Sequence, residues 1–230
     1  MTEPGVTDLV VPVKELRRAK TRLAAASAVV ASTARGRRAA HDDLAFALAA
    51  DTLAAVLASS VRRLALVTSE PRVAGPLAPH PVVGNDPRVD LVADPGRGLN
   101  AAIRAGIERW GGSAPVGVLL ADLPALRAAE LDDALAAARA ALRRAPAAFV
   151  ADHTGEGTSL LVLAPGFTPR FGPGSAAAHA AAGAVALTGD WPGLRHDVDV
   201  PSDLDEVRAL GVGPATRAWP EVPALAGGCR

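Results

Sequence analysis

Apolar positions fall into short continuous runs separated by stretches of helical period. Leu9 to Val13 (LVVPV) is apolar and largely β-branched, the pattern of a short buried strand. His41 to Ser59 carries Leu44, Leu48, Val56 and Leu57 along one face, with Asp42 and Asp43 at the positive end, and predicts a helix. Leu64 to Thr68 is the second strand, and the proline-rich residues 71–88 read as a short helix or an irregular link. A strand then ends at Asp94-Pro95, a glycine loop follows, and a helix begins near Leu99. Val116 to Ala121 is a near-continuous apolar strand. Residues 130–144 form a helix with Leu131, Leu135 and Leu142 on one face, stopped by Pro146. Strands at Ala148–Ala151 and Leu160–Leu163 flank a Gly-rich turn, the pattern of a hairpin. An Ala-rich helix runs from Ser175 to about Gly183. Leu194 to Val200 alternates and predicts a strand with Asp197 and Asp199 on one face. A helix from Pro201 to Leu210 turns Leu204 and Val207 inward and stops at Gly211.

Strand–helix–strand order with long crossovers implies an α/β fold around a parallel sheet. Periodicity is lost after Val212. The chain therefore divides into a domain over residues 1–211 and a loose Pro/Gly/Ala-rich extension over 212–230. Lys and Arg number 24, as do Asp and Glu, so bulk attraction to nucleic acid or to an anionic membrane is not expected, and any positive patch is local. With 3% aromatic residues and no Tyr, a base-stacking surface is not expected either. One cysteine, Cys229, excludes an intramolecular disulfide and a cysteine metal cluster. Glu3 and Asp8 interrupt any signal-peptide run, and Asp51 breaks the best candidate membrane span, so a soluble cytoplasmic protein is expected. A homodimer is compatible with the chain.

The first strand runs directly into Lys14, Arg17, Arg18, Lys20 and Arg22. Ligands of open α/β sheets lie beyond the carboxyl ends of the strands, so this basic segment suits an anion; the alternative is a solvated charged loop. Gly96, Gly98 and Ala101 match the dinucleotide pattern G-x-G-x-x-A, but that loop belongs after the first strand of a unit, which here leads into lysines. Asp122, at the end of the 116–121 strand, is either a magnesium ligand or a turn or N-cap aspartate. Gly155, Gly157, Thr158 and Ser159 in the turn, and the FGPGS loop (171–175) ahead of a helix, offer amides and hydroxyls to an anion. His179 reads as a packed helix residue.

VPVKELRRAKTRL, DPGRGLNAAI, LLADLPAL, HTGEGTSLL, RFGPGS and DVDVPSDL occur in that order. Over residues 8–210 the chain resembles the 2-phospho-L-lactate/phosphoenolpyruvate guanylyltransferase family of coenzyme F-420 biosynthesis. The resemblance implies a three-layer nucleotidyltransferase fold, Rossmann-like and of the nucleotide-diphospho-sugar transferase type, with a mixed, mostly parallel sheet. It implies transfer of GMP from GTP to phosphoenolpyruvate, with 2-phospho-L-lactate or 3-phosphoglycerate as alternative acceptors. On this basis Lys14, Lys20 and Arg22 hold the triphosphate, and Asp122 with Asp199 or Asp197 holds magnesium. Gly96, Gly98 and Asn100 face the nucleoside. Gly157, Thr158, Gly172 and Ser175 line the acid. Two positions depart from the family pattern: Val200 stands where a threonine is common, leaving Ser202 to cap the last helix, and Ser159 stands where an asparagine is common. A molybdopterin or sugar-phosphate nucleotidyltransferase, and a non-catalytic nucleotide-binding domain, are the competing readings.

Overall fold

Hydrophobic strands buried on both faces organise the chain. The structure, a computed structural model, describes residues 7–13, 34–74, 83–112 and 114–219. Seven strands, β1 (Asp8–Val13), β2 (Arg63–Thr68), β3 (Val89–Ala93), β4 (Val116–Leu119), β5 (Ala147–Ala151), β6 (Thr158–Leu163) and β7 (Val185–Ala186), form one sheet in the order β3-β2-β1-β4-β6-β5-β7. β1 pairs parallel with β2 and β4, β2 with β3, and β5 with β7. Only β6 runs antiparallel, to both β4 and β5. The expected mixed, mostly parallel sheet is present.

Helices cover both faces. They are α1 (Ala34–Ala58), α2 (Pro71–Ala74), α3 (Leu99–Glu108), α4 (Ala128–Ala141), α5 (Ser175–Ala181), α6 (Pro192–Arg195), α7 (Pro201–Leu210) and α8 (Pro214–Ala218). The strand period sorts β1 between the layers. Leu9, Val11 and Val13 pack with Leu53 and Val56 of α1 and Leu131 and Leu135 of α4; Val10 packs with Ala102 and Ile103 of α3 on the other face. α1 reaches back to Ala34, earlier than the apolar spacing indicates, through an Ala- and Arg-rich stretch of good helix formers.

Two expectations are corrected. Residues 194–200 do not form a strand: α6 ends at Arg195 and an extended, unpaired segment follows. The alternation survives nonetheless, because Val198 is fully buried in a small cluster with Leu44, Leu48, Ala125, Leu204, Val207, Val212 and Trp219. Burying one valine contributes about 1.5–3 kcal/mol, enough to anchor an irregular segment. The extension is also not loose over its described part. α8 docks on α1, where the Asp51 carboxylate accepts the Ala215 and Thr216 N–H groups at 3.0 and 2.8 Å, and Trp219 is buried. Residues 212–219 thus belong to the packed body of the domain.

Candidate active site

The strand order reverses between β1 and β4, which makes the carboxyl edge of those two strands the crevice of the sheet. β1 ends there at Val13; Lys14, Lys20 and Arg22 lie outside the described residues. β4 leads there into Asp122. Because β6 runs antiparallel, the turn between β5 and β6 reaches the same edge.

Asp122 is not a helix N-cap, since α4 begins six residues later behind Arg127. Its loop is held from both sides. The Thr52 hydroxyl of α1 accepts the Leu123 N–H at 3.0 Å, and the Asp122 carbonyl accepts the Val198 N–H at 3.2 Å. That second bond brings the 197–199 segment against Asp122. With Val198 buried, Asp197 and Asp199 project away from the core, and carboxylate oxygens of Asp122, Asp197 and Asp199 lie within 4.8 Å of one another. Three convergent carboxylates form an all-oxygen donor set that fits a hard divalent cation.

Ser202 is not the group that secures the start of α7. Asp203, at its third position, accepts the Asp199 and Val200 N–H groups at 2.7 and 2.9 Å, and its own N–H donates to the Val200 carbonyl. A carboxylate near a helix start suits the positive end and replaces the missing threonine from the opposite direction. Asp203→Ala is therefore expected to loosen Asp199 as well as α7. Loss of such a cap costs roughly 1–2 kcal/mol, about 2–8 °C in melting temperature for a domain of this size. A thermal melt and a turnover assay check it: turnover should fall even at temperatures where the variant is fully folded, and native turnover there would confine Asp203 to stability.

The Gly-rich turn is built on Asp152, a residue the sequence reading passed over. Its carboxylate accepts the Thr154 hydroxyl and the Glu156 and Gly157 N–H groups, at 2.7, 3.2 and 2.8 Å. Asp followed by Thr two residues later, inside a glycine-rich stretch, is the signal that could have identified it. A Cβ on Gly157 would overlap the Asp152 carboxylate, so a larger residue here must displace the group that holds the turn. The turn also reaches the acidic cluster. The His153 N–H donates to the Arg195 carbonyl at 2.8 Å, and His153 Nδ1 lies 3.4 Å from Asp197 Oδ1. His153 stacks on His196 at 4.2 Å and 6°, and His196 Nε2 sits 2.7 Å from Glu206. His153, His196 and Glu206 are close enough to suggest a second metal group, but near-parallel rings direct their in-plane lone pairs side by side rather than at one ion.

On its other side the turn meets the FGPGS loop, because the Ala176 N–H donates to the Glu156 carbonyl at 3.0 Å. Thr158 and Ser175 are both buried, whereas Gly172 is exposed. Asn100 bonds twice to the backbone of Phe171, donating to its carbonyl at 2.8 Å and accepting its N–H at 2.9 Å. Its amide therefore ties the start of α3 to the FGPGS loop. Gly96 and Gly98 lie in the loop after β3, the outermost strand on that side, away from the reversal between β1 and β4. A dinucleotide loop belongs at that reversal, so the G-x-G-x-x-A match does not occupy a dinucleotide site. Asp122, Asp197 and Asp199 thus form one cluster, Gly157, Thr158, Gly172 and Ser175 belong to two bonded loops beside it, and Asn100 joins the second loop from α3.

A mixed sheet of this order, with convergent aspartates at its carboxyl edge, defines an α/β domain of the nucleotidyltransferase type. Solved structures share the fold. One is a 4-diphosphocytidyl-2C-methyl-D-erythritol synthase from Anaerococcus prevotii, with TM-score 0.55 and 10% identity, covering 89% of this chain and 97% of that one. Another is a candidate nucleotide-diphospho-sugar transferase from Desulfovibrio desulfuricans, with TM-score 0.59 and 19% identity, covering 86% and 84%. No protein-family model matches the chain. Curated relatives are far more similar. The phosphoenolpyruvate guanylyltransferase of Geodermatophilus obscurus is 49% identical over 212 residues, covering 91% of this chain and 92% of that one. Those of Salinispora arenicola and Mycobacterium ulcerans are 46% and 40% identical, each covering 92% of both chains. The chain belongs to the phosphoenolpyruvate guanylyltransferase family.

Proposed function

We propose that the protein transfers GMP from GTP to phosphoenolpyruvate and releases diphosphate. The observation that carries this reading is the family membership, at up to 49% identity over nine-tenths of the chain. A phosphate oxygen of the acid forms the new bond to the α-phosphorus of GTP while the bond from that phosphorus to the bridging oxygen of the diphosphate breaks. The attacking phosphate has a second pKa of about 6 and is largely dianionic near neutrality, so no strong general base is needed. Positioning and charge neutralisation then carry the rate.

Asp122, Asp197 and Asp199 would hold magnesium, which when bound offsets negative charge on the reacting phosphates. The spacing of the three carboxylates supports this reading. Lys14, Lys20 and Arg22, in the basic segment that follows β1 in the sequence, are assigned to the triphosphate, and the Gly96–Gly98 loop with Asn100 to the nucleoside side. Gly157, Thr158, Gly172 and Ser175 are assigned to the acid. The bond between Glu156 and Ala176 supports that assignment, since it holds the two loops as one unit beside the aspartates.

The test is a diphosphate-release screen of GTP against phosphoenolpyruvate, 2-phospho-L-lactate and 3-phosphoglycerate. Phosphoenolpyruvate is expected to give the highest kcat/KM. A clear preference for either other acid overturns the acceptor, and no release with any acid overturns the activity. Thr158→Val and Ser175→Ala should each raise KM for the acid by about fivefold to tenfold, the worth of one hydrogen bond, and leave KM for GTP nearly unchanged. Equal effects on both substrates would remove the acid-site assignment.

A further inference from the structure

His179 lies on α5 with its side chain fully buried, and both of its ring nitrogens are engaged. Nε2 is 3.0 Å from the backbone nitrogen of Arg170, and Nδ1 is 3.0 Å from Thr158 Oγ1. These two partners settle where the ring proton sits. A backbone N–H can only donate, so Nε2 must present its lone pair to Arg170. In a neutral imidazole the proton then resides on Nδ1, and Nδ1–H donates to the Thr158 hydroxyl oxygen. That oxygen is thereby committed as an acceptor from the ring, and the hydroxyl proton is directed elsewhere. Among the described residues, His179 is the one hydrogen-bond partner of Thr158 Oγ1.

The ring has little freedom to change this pattern. Phe171 meets it edge-on at 5.2 Å, and Phe149 and Phe167 are tilted against it at 6.0 and 6.3 Å. Rotating the imidazole by half a turn would bring carbon atoms toward both partners and strand the Arg170 N–H. Charging the ring would place a second proton on Nε2, against that same N–H. Burial, with the Arg170 guanidinium adding to it, pushes the His179 pKa down to about 4, so the neutral ring persists through the working range.

We propose that His179 is a positioning residue: its Nδ1–H fixes Thr158 as a hydrogen-bond donor toward an anionic oxygen of the phosphorylated three-carbon acid. An anion offers only acceptors, so a hydroxyl whose proton is held available in advance binds it without reorganisation. The inference rests on the assignment of Thr158 to the acid. It adds a role for a histidine that touches no substrate, and it accounts for a buried imidazole with two polar partners where an apolar side chain would fill the same space.

The experiment has two parts. In the native protein, nitrogen-15 NMR of the imidazole should show Nδ1 protonated and Nε2 bare. The opposite tautomer, or a charged ring at neutral pH, overturns the proposal without reference to any variant. The second part is a double-mutant cycle with phosphoenolpyruvate and GTP as substrates. His179→Phe should raise KM for phosphoenolpyruvate about tenfold in the native background and change it less than twofold in a Thr158→Val background, with KM for GTP unchanged in both. His179→Asn, whose side-chain amide can place a donor near the position of Nδ1, should recover part of the loss. If Thr158→Val leaves KM for phosphoenolpyruvate unaltered, the acid-site reading fails. If Thr158→Val raises it but His179→Phe does not, or acts equally in both backgrounds, the acid site stands and the positioning role falls.

Discussion

Asp122→Asn is expected to lower turnover by about 10²–10³-fold while leaving the melting temperature within a few degrees of native. The amide keeps the shape of the carboxylate but not its charge. A cation site reduced from three carboxylates to two loses several kcal/mol of the stabilisation it offers to developing charge, which is that range in rate. The fold should tolerate the change because two bonds that hold this loop do not involve the Asp122 carboxylate. The Leu123 N–H donates to Thr52, and the Val198 N–H donates to the Asp122 backbone carbonyl, which the substitution leaves in place. Two measurements check the prediction. Titration with manganese as a spectroscopic stand-in should show weaker binding to the variant, and the native enzyme should lose activity in excess chelator and regain it on adding magnesium. Full activity of the native enzyme in chelator would remove the metal assignment. Native turnover by Asp122→Asn would remove Asp122 from the site even if a metal is required.

The segments that carry the candidate site were legible because each has strong local punctuation. Asp122 closes an apolar strand, the HTGEGTS turn is flanked by strand runs, and FGPGS precedes an Ala-rich helix. Strand topology then places Asp122 and the turn on one edge of the sheet. What the sequence concealed are pairings between distant residues. The extension looked loose because its apolar anchors, Val212 and Trp219, are sparse and its polar anchor is Asp51, more than 160 positions away. Residues 194–200 looked like a strand because period two reports which side chains are buried, and a single buried valine between a half-buried and an exposed carboxylate has the same signature without any ladder. His179 read as packed, and it is buried; its two polar bonds, one to β6 and one to the loop ahead of α5, are invisible in one dimension.

Gly193→Ala is expected to be the most damaging single-methyl change near the site. Gly193 lies within α6, buried where that short helix crosses the loop after Asp122. A Cβ there would overlap the Ala125 carbonyl oxygen, and would also sit 2.8 Å from the Ala125 carbonyl carbon and 2.8 Å from Glu130 Oε2. The first obstacle is backbone, which cannot swing aside as a side chain does. The second is fixed as well, because Glu130 Oε2 accepts the Leu194 N–H at 3.0 Å. The segment has further ties on either side. The Trp191 indole donates to Asp133 at 2.8 Å, and the Arg195 guanidinium donates to the Ala151 and Leu187 carbonyls at 3.0 and 2.9 Å. Relief therefore requires α6 and the 122–126 loop to separate, which strains the bond between Asp122 and Val198 and spreads the three carboxylates. Overpacking of this kind costs about 1–3 kcal/mol, and the loss of buried hydrogen bonds adds to it. A cost of about 3 kcal/mol lowers the melting temperature of a domain this size by roughly 6–12 °C. Turnover should fall at least tenfold at a temperature where the variant remains folded, because the carboxylates no longer converge. Thermal unfolding followed by circular dichroism and turnover measured well below the transition separate the two effects. A stable variant with native turnover would show that α6 does not hold Asp197 and Asp199 against Asp122. A destabilised variant with native turnover would show that it braces the fold alone.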